Sequence, residues 1–308
     1  MTNWTSENIP SQKNRIAIVT GSSSGIGLEA ARVLAGKEAM VIIAVRNLEK
    51  GDKAAEKIRQ DVSKANLKTM KLDLADLDSV KKFAEEFKRE YSHLDLLINN
   101  AGVMIPPYSK TVDGLELQFG TNHLGHFALT GQLLSLLIST ESSRIVNVSS
   151  AAHKYGKIDF DDLNWENRKY KAWTAYGDSK IANLYFTYEL DRKLKANDLE
   201  IITNAAHPGY TATELQRNMG LSTILNALLA QSVEMGTLPT LRAAFDTEAK
   251  GGEYFGPKGF MEMRGFPVQV DSNDLSRDKA IAKKLWKVSE ELTGVKFDFS
   301  KGIQTANE

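Results

Sequence analysis

The stretch RIAIVTGSSSGIG (15–27) carries a short, continuously apolar, β-branched run, Arg15–Thr20, into a turn built of glycine and serine. Such a run fits a strand buried on both faces of a parallel sheet. Beyond the turn, Gly25–Gly36 places Ile26, Ala30, Val33 and Leu34 at helical spacing. Strand, Gly-rich turn and helix in that order make an anion cradle. The glycines let the backbone bend sharply and approach a pyrophosphate, and the helix N-terminus favours its charge. The spacing is G-x-x-x-G-x-G and departs from the common G-x-G-x-x-G. A Gly/Ser turn alone is weak evidence; its place directly after an apolar strand is what gives it weight. Gly21, Ser22, Ser24, Gly25, Ile26 and Gly27 are the candidate cofactor ligands here.

Outward from this unit the same alternation repeats. Met40–Val45, Leu67–Leu72, Leu94–Ile98, Arg144–Val148 and Ile201–Ala206 read as further strands. Between them lie amphipathic stretches at Leu48–Ala65, Ser79–Tyr91, Thr174–Lys195 and Gln231–Asp246, and one long or broken helix within Asp113–Ser139. Repeated β-α units with right-handed crossovers predict an α/β fold, a doubly wound parallel sheet with helices on both faces. No fixed-period repeat and no Pro/Gly/Ser linker divides the chain. A single domain over 14–294 is expected, with 1–13 as an N-terminal extension and 295–308 as a loosely held tail.

Composition narrows the function. The 308 residues carry 39 basic and 39 acidic side chains, a balance that argues against a nucleic-acid partner. There is no cysteine, which removes disulfides, thiol nucleophiles and cysteine-ligated metal sites. No segment is long and apolar enough for a transmembrane helix. Residues 1–8 are polar and lack the pattern of a secretory signal, so a cytoplasmic location is expected.

The ends of the next strands refine the ligand. An acidic residue after the second strand would bond the 2′-hydroxyl of NAD; this chain has Arg46, whose guanidinium suits a 2′-phosphate. NADP(H) is therefore the expected cofactor. Asp73 and Leu74 end the third strand, where Asp73 either contacts an adenine ring or caps the following helix. Asn99, Asn100, Ala101 and Gly102 end the fourth. Their small side chains either admit the cofactor closely or simply close the turn.

Tyr176 and Lys180 stand four residues apart in a helical stretch between the fifth and sixth strands, so phenol and ammonium share one face. The spacing alone decides little, and Tyr254–Lys258 repeats it. That second copy contains Gly256-Pro257 and cannot be a regular helix.

Taken together, TGSSSGIG (20–27), Asp73, NNAG (99–102), Asn122, Ser149-Ser150, Tyr176 with Lys180 and HPG (207–209) resemble the short-chain dehydrogenase/reductase family, in its order and over much of the chain. AVRNLEKG (44–51), LDLADLDSV (72–80), HKYGKIDFDDLN (153–164), AYGDSKIAN (175–183) and HPGYTATEL (207–215) are similar to the retinol dehydrogenase, WW-domain oxidoreductase and protochlorophyllide reductase-like branch. Protochlorophyllide reduction itself is disfavoured, because those enzymes depend on cysteines.

The resemblance implies a Rossmann-type fold and hydride transfer between NADPH and a carbonyl. It assigns Tyr176 as general acid/base and gives Lys180 the nicotinamide ribose. It has Ser150, rather than Ser149, orient the substrate oxygen, and Asn122 hold a relay water. Physics agrees that Tyr176 needs help: a free phenol titrates near 10, and the Lys180 charge together with the positive oxidised nicotinamide would lower it toward 7. Pro208, Gly209, Thr211 and Thr213 follow the sixth strand and either contact the nicotinamide side or form a bare turn. An NAD-linked alcohol dehydrogenase, and a cofactor-binding regulatory protein without turnover, are the alternatives.

Ser150 and Tyr176 are 26 positions apart, about twice the family's usual spacing, and the excess is an insertion at 153–173. Its Tyr155, Phe160, Trp165, Tyr170 and Trp173, with Leu215, Met219, Leu221 and Leu225, either wall a large apolar pocket or pack the insertion down. The first choice predicts a bulky hydrophobic carbonyl or alcohol, with 210–230 as a substrate lid. His123 and His126 lack further ligands at matching spacing and read as core histidines. Asp178 is an unusual residue within YGDSK. By resemblance a homo-oligomer is possible, paired through the helix of Tyr176 and that near 231–246.

Overall fold

A computed structural model describes residues 3–211 and 230–300. Among them, eight strands form one sheet: β1 (Ile16–Thr20), β2 (Met40–Val45), β3 (Asn66–Lys71), β4 (Leu96–Asn99), β5 (Arg144–Val148), β6 (Ile202–Ala206), β7 (Tyr254–Pro257) and β8 (Pro267–Gln269). Their order is β3-β2-β1-β4-β5-β6-β7-β8, with every pair parallel except β7–β8. Alternate residues of each central strand feed opposite faces. Ile16 and Ile18 join a core with Phe83, Phe127, Phe186 and Trp286. Ala17 and Val19 join a second core with Ala30, Leu34, Ile58 and Leu241. Burial on both faces is why these strands are continuously apolar, and the sheet is doubly wound as expected.

Helices α1 (Gly25–Gly36), α2 (Leu48–Asp61) and α3 (Leu77–Glu90) follow the first three strands. Side chains of Asn47 and Asp76 cap α2 and α3. The helix expected within 113–139 is broken. We call it α4: it runs through Leu117–Phe119, a π-helical stretch Gly120–Leu124, and Gly125–Ile138. Next come α5 (Ala172–Ala196), α6 (Val233–Phe245) and α7 (Lys279–Thr293).

Three elements lie beyond the expected set. β7 is the second Tyr-x-x-x-Lys stretch, which pairs with β6 as a strand. β8 begins at a proline, tolerated at the sheet edge, and turns antiparallel. α7 packs Ala282, Leu285 and Trp286 inward, capped by Asp278 and closed by Gly294 at φ +68°.

Described residues at both ends pack against the domain. Ile9 is buried, and the Gln12 N–H bonds the Lys37 carbonyl. Alternate residues Val295, Phe297 and Phe299 turn onto the core, with the Phe297 ring 4.5 Å from Trp286 and 4.8 Å from Phe127. No helix of the described residues is long and apolar enough to cross a membrane.

Candidate active site

Strand order reverses between β1 and β4, so the crevice outside their carboxyl ends is where an open α/β sheet binds ligands. A cleft of about 380 Å³ opens there. Its floor is the glycine turn. Gly21 has φ +66°, and a Cβ there would lie 2.8 Å from Ala101 Cα. A Cβ on Gly27 would meet Asn100 Nδ2 and the Gly21 carbonyl at 2.6 Å. The capping Ser24 of α1 makes no side-chain cap bond, and the first N–H groups of a helix have no intrahelical partner. A dinucleotide pyrophosphate fits this cradle. Gly21, Ser24, Gly25, Ile26 and Gly27 line it, and so does Ser23, which sequence reasoning passed over. Ser22 does not: its hydroxyl is fully buried and donates to the Val19 carbonyl.

Arg46 lies at one end of the cleft, exposed, with Asp73 and Leu74 along the same wall. Capping of α3 falls to Asp76; Asp73 accepts the Ala75 N–H and also lines the cleft. Asn100, Ala101 and Gly102 line it too, and Asn100 also closes the turn, whereas the Asn99 amide donates to Thr130 Oγ1 and Asn147 Oδ1 in the core. Asn100 donates to the Thr20 carbonyl, while Thr20 Oγ1 accepts the N–H groups of Asn100 and Ala101. Thr121 was missed. It is buried, its hydroxyl has no partner, and it lines the cleft. Its signal in the sequence was only its place before Asn122.

At the other end α5 brings Tyr176 and Lys180 to one face, with Lys180 Nζ 5.6 Å from the Tyr176 ring centroid. Ser149 and Ser150 differ in their contacts, and Ser149 is the one that lines the cleft. Ser149 Oγ donates to the Lys180 carbonyl. The Ser150 side chain accepts the Ala152 N–H and acts on the Tyr176 phenol, opposing the effect of its burial. Burial pushes that phenol up to about 12, partly offset by Ser150. In the protein without a nicotinamide, burial dominates this phenol. Burial also lowers the Lys180 ammonium to about 8, and Nζ donates to the Val148 carbonyl.

Asn122 sits in the π stretch, a distortion often found at functional sites. Its amide accepts the Val103 N–H and donates to the Val103 carbonyl and Ser179 Oγ. A Cβ on Gly102 would lie 3.0 Å from Asn122 Oδ1 and 3.7 Å from Lys180 Nζ, so both converge on this glycine.

Pro208 lines the cleft; Gly209 turns beside it at φ +64°, and Thr211 Oγ1 donates to the Pro208 carbonyl. Thr213, Leu215, Met219, Leu221, Leu225 and most of the expected lid lie outside the described residues. Of the insertion's aromatics, Trp165, Tyr170 and Phe160 pack against the domain. Tyr155 and Trp173 stay exposed, Trp173 with its ring 6.2 Å from Tyr176. His123 is a buried core residue bonded to Ser289, and burial lowers it to about 3.

Similarity to known proteins follows the same lines. The profile of the short chain dehydrogenase family matches residues 15–222. The chain is 42% identical to mouse retinol dehydrogenase 12 over 289 residues, covering 92% of this chain and 88% of that protein. It is 41% identical to human retinol dehydrogenase 13 over 292 residues, covering 91% and 85%. Among solved structures it is similar to an uncharacterized protein of Mycobacterium paratuberculosis, with a TM-score of 0.83, 40% identity and coverage of 96% of this chain and 100% of that one. A short chain dehydrogenase from Shigella flexneri complexed with NADP has a TM-score of 0.64 and 25% identity, covering 79% and 97%.

Proposed function

The chain belongs to the short-chain dehydrogenase family, an oxidoreductase family acting on alcohol and carbonyl groups, and on that premise we propose that it is an NADP(H)-dependent reductase of bulky, apolar aldehydes or ketones. The observation that carries this reading is that Tyr176 and Lys180 line one end of a cleft whose other end holds Arg46, with Ser150 against the Tyr176 phenol.

The glycine turn and the α1 N-terminus hold the pyrophosphate. Arg46 faces the adenosine ribose, where a guanidinium favours a 2′-phosphate. Lys180 supports the nicotinamide ribose beside Gly102. The reduced nicotinamide supplies the hydride. Ser150 donates to the carbonyl oxygen and orients it. Tyr176 keeps its proton at neutral pH, since burial holds the phenol high, and gives it to the oxygen as negative charge develops. Asn122 fixes the 103 loop against Ser179.

Trp173, exposed with its ring beside Tyr176, suits an apolar substrate. Relatives named retinol dehydrogenases support the same class. The test is a panel of apolar aldehydes and ketones with NADPH and NADH, followed at the nicotinamide absorbance. Reduction with a strong NADPH preference is expected. NADPH binding without oxidation by any substrate overturns the reading.

A further inference from the structure

The 153–173 insertion directs its polar groups at the two helices that carry Asn122, Tyr176 and Lys180. On the α4 side, Glu116 is fully buried and caps the helix, accepting the N–H groups of Gln118 and Phe119 at 3.0 and 2.7 Å. The Tyr170 hydroxyl donates to Glu116 Oε1 at 2.9 Å and accepts from Gln118 Nε2 at 2.8 Å. Asn164 Oδ1 accepts the Glu116 N–H at 2.9 Å.

On the α5 side the grip falls between Tyr176 and Lys180. Asp178 Oδ1 accepts the Lys157 N–H at 2.9 Å. Arg168, stacked 3.7 Å from the Trp165 ring centroid, ion-pairs Asp159 at 3.1 Å and Asp162 at 3.4 Å and comes within 3.9 Å of Asp178. Gly156 lies so close to α5 that a Cβ there would stand 2.2 Å from the Gly177 carbonyl oxygen.

Directly between the helices, Phe119 and Leu124 of α4 share an apolar cluster with Ile181 and Tyr185 of α5. Apolar contact is non-directional, whereas hydrogen bonds fix orientation. Among the described residues, Asn122 to Ser179, in a π-helical turn, is the side-chain bond from α4 that reaches the stretch between Tyr176 and Lys180; Gln118 Nε2 also donates to the Ala172 carbonyl at the first residue of α5. We propose that the insertion is a brace between α4 and α5, with Tyr170 and Asp178 as positioning residues that set Asn122 against Tyr176 and Lys180. This rests on the proposed oxidoreductase for the roles of those three residues; the coupling between the helices does not.

The test uses the full chain carrying Tyr170→Phe, Asp178→Ala or Asp178→Asn. Amide hydrogen exchange without cofactor is read at 117–124 and 174–180. A brace couples the helices: Tyr170→Phe speeds exchange at 174–180 as well as at 117–124, and Asp178→Ala does the converse. Asp178→Asn keeps the acceptor for Lys157 and restores protection. Loosening of each variant's own helix alone overturns the brace. With NADPH and an aldehyde that the parent reduces, kcat falls about tenfold in Tyr170→Phe and Asp178→Ala, while the NADPH dissociation constant by fluorescence stays within about twofold. Unchanged kcat, or an equal loss of NADPH binding, also overturns it. Should Asp178→Ala not fold, exchange at 174–180 in Tyr170→Phe decides. A parent without turnover that still shows cross-helix exchange sinks the oxidoreductase reading and leaves the brace.

Discussion

Thr20 Oγ1 and His126 Nε2 stand 2.9 Å apart beneath the glycine turn, and this contact joins the cofactor cradle to the helix of Asn122. The partners of His126 fix its tautomer. Nδ1 faces the Asn122 carbonyl at 3.0 Å and must carry a proton. Burial lowers the ring to about 4, so it is neutral and Nε2 is bare. Thr20 then donates to Nε2 and accepts the N–H groups of Asn100 and Ala101. A neutral ring with the proton on Nδ1 is expected by nitrogen NMR down to about pH 5, one unit above its value. His126→Phe takes the side-chain donor from the buried Asn122 carbonyl, while Thr20 Oγ1 can turn to the Ile98 carbonyl 3.3 Å away, and should cost about 1–3 kcal/mol in denaturant unfolding. A ring titrating near 6.5, or a variant of parental stability, contradicts this arrangement.

Tyr176→Phe removes the proposed proton donor and little volume. Turnover should fall by about 10²- to 10⁴-fold, the usual worth of a positioned acid, with NADPH affinity nearly kept. Parental turnover on a good substrate rules Tyr176 out as the acid.

How the site was legible follows from where its information lies. The glycine turn, Arg46, Ser150, Tyr176 and Lys180 could be found because each rests on local order: a residue at a strand end, or two residues one helical turn apart. Thr121 could not, because an unpartnered hydroxyl is a property of its neighbours. Ser22 misled for the same reason, since only the fold shows it turning back to Val19. The insertion's aromatics were divided by contacts as well: Trp165 is buried under Arg168, whereas Trp173 faces out. Among the elements, β7 and β8 were too short and too rich in Gly and Pro to stand out. α7 was readable in principle, with Asp278 before it, Gly294 after it and an apolar stripe between. So was the alternation of Val295, Phe297 and Phe299 that brings the tail onto Trp286.

Arg46→Asp should reverse the cofactor preference. The guanidinium is exposed beside the cleft. A hydrogen bond to a charged group contributes about 1.5–3 kcal/mol, or roughly 10- to 150-fold in NADPH affinity. NADH affinity should hold or improve, because a carboxylate can accept from a 2′-hydroxyl. The ratio of dissociation constants is the measurement. A variant that still strongly prefers NADPH removes Arg46 from the phosphate site.

Thr121→Val tests the unpartnered hydroxyl. Residues four apart share a helix face, so Thr121 lies with Gly125, whose Cβ position is 2.4 Å from the Leu74 carbonyl. That faces the adenosine end. NADPH and 2′,5′-ADP affinities should both drop by about three- to tenfold, the worth of one hydrogen bond. Stability without cofactor should hold or rise, since an unsatisfied buried group is gone. Equal affinity for both probes excludes a bond from Thr121.

Asp178 sets a pH dependence. Burial raises its carboxyl to about 7, opposed by the Lys157 N–H and by Arg168 and reinforced by Glu116 and Asp159. Its folded pKa thus exceeds its unfolded value, so the folded state holds a proton that the unfolded chain has released. The stability this confers is fully present below about pH 4 and is lost as pH rises through 7. Asp178→Asn never ionises. Its stability relative to the parent should therefore improve from about pH 5 to about pH 8, in denaturant unfolding at both values. A difference that stays flat across that window shows that Asp178 does not titrate there. A difference of the opposite sign shows that Arg168 holds the carboxylate ionised, with attraction outweighing the cost of burial.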